Sequence, residues 1–105
     1  MIEVTEGETI DVRIGISRVD SVGAVAASNP QRRILNAARA LVSTSTCHDW
    51  CAAAWDVATE EMYAPFTSTE PALTQPGDYI MQFRAEIGFE LYEKEVRVLL
   101  KEWGV

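Results

Sequence analysis

Chemistry in this chain would have to begin at Cys47-His48-Asp49-Trp50-Cys51, which puts two thiols, an imidazole and a carboxylate within five residues. Such donors bind soft or borderline metals when they converge. Their spacing meets no established template. A c-type haem site needs two residues between the cysteines and the histidine after them, and a structural zinc site needs a second ligand pair. Cys47, Cys51 and His48 are the only residues of their types in the sequence. On a helix Cys47 and Cys51 share one face while His48 points about 100° away. The expectation is therefore two buried cysteines acting as small apolar residues. Cys47, His48 and Cys51 remain metal candidates only across an oligomer interface.

Nucleophilic catalysis fares no better, because His48 adjoins Cys47 in the chain and neighbours on a helix diverge. Glu60-Glu61 and the Glu93/Glu95 pair fall on patterns that read as outward faces, so no shielded acid–base pair is implied. The six glycines, at 7, 15, 23, 77, 88 and 104, are isolated and build no phosphate loop. The expectation is a protein that is not an enzyme and carries no cofactor.

The elements that would position these groups are clearest in residues 77–100. Tyr79, Met81, Phe83, Ala85 and Ile87 alternate with Asp78, Gln82, Arg84 and Glu86, the period a half-buried strand requires. Gly88-Phe89 fits a two-residue type II′ turn. That turn sets Ile87 opposite Glu90, Ala85 opposite Tyr92, Met81 opposite Val96 and Tyr79 opposite Val98. Phe83 against Lys94 is the one poor pair. A second alternating stretch runs through Ile2 and Val4, then past Glu6-Gly7 through Ile10, Val12, Ile14 and Ile16, and is expected in the same sheet as the hairpin. Residues 17–29 read as loop.

Asn29-Pro30 reads as a helix cap followed by the first helical position. The three- and four-residue recurrence of Ile34, Leu35, Ala38, Leu41 and Val42 predicts an amphipathic helix over 30–43. Gln31, Arg32 and Arg33 would then stand at the end the helix dipole disfavours, facing a partner or an acidic neighbour. A second helix over 47–63 follows from the stripe Cys47, Trp50, Cys51, Ala54, Trp55, Ala58 and Met62, with Thr46 as cap. A short helix plus a strand through Trp55, Val57 and Thr59 is the other reading. Residues 66–77, with two prolines and Pro76-Gly77, read as a loop feeding the hairpin.

The chain has 105 residues and a mass of 11.7 kDa, the size of one domain with one core. Its 48% hydrophobic content is that of a globular protein. No apolar run has membrane-span length, and the N-terminus lacks the basic start and apolar core of a signal peptide. Cytoplasmic synthesis is the expectation. Two cysteines four residues apart cannot staple distant segments, unlike a secreted disulfide framework. A net charge of −7 and a pI near 4.6 disfavour nucleic acid and anionic membranes as partners.

Glu6-Gly-Glu-Thr-Ile-Asp-Val-Arg-Ile14, with Pro76-Gly-Asp-Tyr-Ile-Met-Gln-Phe83 and residues 92–100, resembles the opening strand and closing hairpin of small immunoglobulin-like β-sandwich modules among phage and prophage virion proteins. The resemblance implies a structural or binding module without catalysis. The expected fold is α+β: one antiparallel sheet from residues 8–16, 79–87 and 90–100, covered on one face by one or two helices. A β-sandwich with a helical insertion is the alternative. The expected function is protein–protein interaction in a small virion assembly (head–tail or tail) component, with a protein partner that includes a second copy of the chain. Phe89, Trp103, Glu93 and Glu95 are its candidate contacts. The alternative is a small acidic inhibitor of a host defence nuclease, acting by nucleic-acid mimicry or by docking.

Overall fold

The computed structural model describes residues 2–15, 28–44, 47–69, 73, 75–87 and 90–102. Nine strands form among them: β1 (Ile2–Thr5), β2 (Thr9–Gly15), β3 (Ser28–Asn36), β4 (Leu41–Val42), β5 (Cys51–Ala52), β6 (Ala54–Asp56), β7 (Glu61–Thr67), β8 (Gly77–Ile87) and β9 (Glu90–Lys101). They make two sheets. The larger runs β1-β9-β8-β3-β4, with β5 also on β3, and the smaller runs β2-β7-β6. β1 lies parallel to β9 and the other pairs are antiparallel.

The β8–β9 hairpin has the expected register, from Ile87 opposite Glu90 to Tyr79 opposite Val98. Its alternation is strict on the inward side, where Tyr79, Met81, Phe83, Ala85 and Ile87 are buried. The proposed turn at Gly88-Phe89 lies outside the described residues, as do Ile16 and residues 17–27 of the loop expected over 17–29; the last two residues of that loop, Ser28 and Asn29, instead open β3. Lys94 keeps its place opposite Phe83 by sending its ammonium to the Gly15 carbonyl, 3.1 Å away, at the end of β2. A long lysine stem can cover apolar surface while its charge stays in water.

The α+β expectation is overturned, because no helix forms among the described residues. Residues 30–43 are a strand, a turn and a short strand. Asn29-Pro30, read as a helix start, is an irregularity in β3, where the pairing with β8 shifts between Ser28 and Gln31 and Asn29 has φ 53°. A bulge is one of the few places a strand accepts proline. The spacing of Ile34 and Leu35 looked helical because β3 buries both faces: Ile34 points into the core, while Leu35, 5% exposed, lies opposite the equally buried Ile80 on the outer face. The chain then reverses at Asn36, whose Oδ1 accepts from the amides of Ala38 and Ala40, and Arg39 takes φ 63°. Such a side-chain-closed turn is incompatible with a helix through Ala38.

Residues 47–63 are likewise not helical. They hold β5, β6 and the turn into β7, in which Asp56 Oδ1 accepts from Ala58 and Thr59. The alternative strand reading found Trp55, in β6, but extended it through Val57 and Thr59, which lie in the turn. Phe66, assigned to a loop, is fully buried in β7 with Met62 and Ala64. Pro65 stands in the middle of β7. It lies beyond the end of β6, whose last pair is Ala54 with Tyr63, so its missing N–H breaks no ladder bond there.

β2 belongs to the small sheet and not to the hairpin's sheet, a further correction. Thr5 and Glu8 close the crossing between sheets: the Glu8 amide donates to the Thr5 carbonyl and the Thr5 amide to Glu8 Oε1. Gly7, at φ 94°, supplies the backbone conformation this needs. The two inward faces share one core, from Val4, Val98 and Leu100 through Phe83 and Met81 to Val12 and Met62. Phe66 of β7 meets Tyr79 of β8 edge to face at 5.8 Å, joining the sheets. Burial raises the Tyr79 phenol's pKa, and its hydroxyl donates to the Gln75 carbonyl at 2.8 Å.

Candidate functional site

Cys47 and Cys51 are joined in a disulfide, which corrects the picture of two separate apolar residues on a helix. A turn replaces the helix here, and it brings the two sulfurs together across Asp49. In this state neither sulfur offers a thiolate to a metal or a substrate. The Thr44 hydroxyl and backbone clamp the base of the loop: the Cys47 amide donates to Thr44 Oγ1, and the Thr44 amide to the Cys47 carbonyl. His48 is turned to Ser43, with its Nδ1 2.6 Å from Ser43 Oγ. The three sequence-derived metal candidates thus do not converge on one point, and no group of three or more metal-ligating residues gathers among the described residues.

The loop instead lays Trp50 across the outer face of the large sheet. Arg33 of β3 and Arg84 of β8 stack on its ring at 4.4 and 4.1 Å. Each guanidinium is held by the residue directly across the strand pair: Arg33 Nε donates to Gln82 and Arg84 Nε to Gln31, both at 2.7 Å. Asp49 adds an ion pair to Arg33 at 3.4 Å. The acidic neighbour expected for the Gln31-Arg32-Arg33 trio is therefore Asp49, though it reaches only Arg33. Arg32 points the other way, donates to the Ala52 carbonyl at 2.7 Å, and is shifted toward a lower pKa by burial.

Of the candidate contacts, Phe89 and Trp103 lie outside the described residues. Glu93 and Glu95 face outward on β9 as expected, but Glu95 is taken up within the chain. Arg39 grips it with two parallel bonds of 3.0 and 3.1 Å, which hold its pKa below the ordinary carboxylate value. Glu93 lies across from Arg84.

The remaining feature with an outward chemistry is β2. It is paired to β7 on one side, and no described strand pairs with the other. Val12 is buried, Ile10 and Ile14 are half-buried, and Thr9, Asp11 and Arg13 are exposed. Arg13 lies over the Tyr63 ring at 4.5 Å and bonds Asp56 at 3.2 Å and Glu61 at 3.4 Å. The bond to Arg13 is the largest cause of the lowered Asp56 pKa. Asp11 has no charged partner among the described residues. Sequence reading recognised this strand but put it in the hairpin's sheet, and it expected a free sheet edge without assigning it to β2; the signal present was the near-symmetry of Ile10-Asp11-Val12-Arg13-Ile14. The Trp50 stack left no comparable signal, since it depends on which strands become neighbours.

No protein-family model matches this sequence, and no curated protein matches it significantly.

Proposed function

We propose that this chain is a non-enzymatic protein–protein interaction module, of the kind that joins subunits in a phage or prophage virion. The observation that carries the reading is β2, a seven-residue strand at the border of the small sheet whose outer row of backbone groups meets no strand partner among the described residues. An open strand edge is a template for another strand, and main-chain bonds along it supply affinity while flanking side chains supply selectivity. The resemblance of both chain ends to virion β-modules supplies the context.

Light scattering coupled to size-exclusion chromatography, at low and high salt, tests it. The expected result is a discrete assembly that survives high salt, because backbone bonds and apolar contacts are little screened. Binding confined to basic proteins and abolished by salt would overturn the reading in favour of an acidic inhibitor.

A further inference from the structure

We infer that the partner of β2 is β2 of a second copy, paired antiparallel about Val12. This rests on the interaction-module reading and gives it an occupant. The first support is the direction of the backbone. Asp11 stands opposite Pro65, which has no N–H, so that pair cannot exchange ladder bonds with β7. Alternation along an antiparallel pair then turns the amides and carbonyls of Thr9, Asp11, Arg13 and Gly15 to the open side. The Ser68 amide bonding the Glu8 carbonyl, at 3.0 Å, has the parity this requires. So does the Gly15 carbonyl, which receives Lys94 from outside the β2–β7 ladder.

The second support is self-complementarity. A two-fold axis through Val12 sets Asp11 of each copy opposite Arg13 of the other, and Ile10 opposite Ile14. A two-fold interface uses one patch twice, so it needs such matching. Each Asp11–Arg13 pair exchanges two backbone bonds and brings opposite charges together on the outer face. Asp11, without a charged partner among the described residues, gains one. Ile10 and Ile14, only half-buried in the single chain, cover each other on the inner side. Lys94 at Gly15 ends the pairing, a charge at the border of an otherwise adhesive edge. The two small sheets thereby become one continuous sheet.

The test measures dimer dissociation in the full chain together with amide exchange at Thr9, Asp11, Arg13 and Gly15. In the wild type these amides become protected as concentration rises. Asp11→Arg places arginines opposite one another twice and is expected to weaken the dimer roughly tenfold or more. Asp11→Pro removes an open-side donor while leaving the β7 ladder intact, and abolishes pairing. An equimolar mixture of Asp11→Arg with Arg13→Asp chains restores a dimer, since every cross-strand charge pair is again opposite. Arg13→Asp loses its bonds to Asp56 and Glu61, so its melting curve is checked first; should it not fold, the two Asp11 variants decide.

Self-association unaffected by both Asp11 variants would overturn the inference while leaving the interaction-module reading in place on another surface. A monomer at every concentration with unprotected edge amides would overturn it too, leaving the edge for a different partner. A monomer whose edge amides are protected would overturn the inference and also remove the observation behind the functional reading.

Discussion

Glu95 carries an electrostatic signature that one substitution can read. Its pKa is lowered in the folded chain first by hydrogen bonding to Arg39. A depressed carboxylate contributes stability above its unfolded pKa, and that contribution disappears as pH falls through the folded pKa. The melting temperature of the wild type should therefore exceed that of Glu95→Gln near neutrality, with the gap closing in acid below the normal glutamate range. Because the pair is exposed, the gap will be small. The Cys47–Cys51 bond calls for a different measure. A loop of five residues restrains the unfolded chain by about 2 kcal/mol in the loop-entropy treatment, and Cys47→Ser with Cys51→Ser should lower the melting temperature by about 10 °C. Indole fluorescence should change as well, since the loop no longer holds Trp50 against Arg33 and Arg84.

Among the elements, β8 and β9 were legible because one face of each is apolar at period two and only Gly88-Phe89 stands between them in the sequence. β3 was not. Its outer face buries Leu35 against Ile80, and apolar residues on both faces mimic the spacing of a helix. Asn29-Pro30 has the same composition as a helix cap and as a strand bulge, and only the neighbouring strand decides between them. In β7 the alternation of Met62, Ala64 and Phe66 was present but interrupted by Pro65, whose tolerance depends on where β6 stops. The disulfide was hidden for the same reason, since a helix would have held the two cysteines stacked and apart. At Gly77, the first residue of β8, φ is 139°, and a Cβ there would meet no atom within 4 Å. Gly77→Ala should thus cost only the backbone strain, about 1–3 kcal/mol, measurable by urea unfolding. A larger loss would mean that Pro76-Gly77 also directs the hairpin's entry into the sheet.

For the molecule as a whole, the extents of 47 × 24 × 21 Å describe an elongated body, with β8 and β9 its longest elements. β1 is the first described strand and β9 the last, and their parallel pairing runs from Ile2 with Val98 to Thr5 with Lys101. Seen mechanically, tension applied at residues 2 and 101 pulls these neighbouring strands past each other along their length. The backbone bonds between them are then loaded together, in shear, and cannot be peeled apart one after another. Force spectroscopy should record a high single rupture for the chain pulled through its ends, and a lower one when it is pulled from residue 78 against residue 99, a directly facing antiparallel pair that opens like a zip.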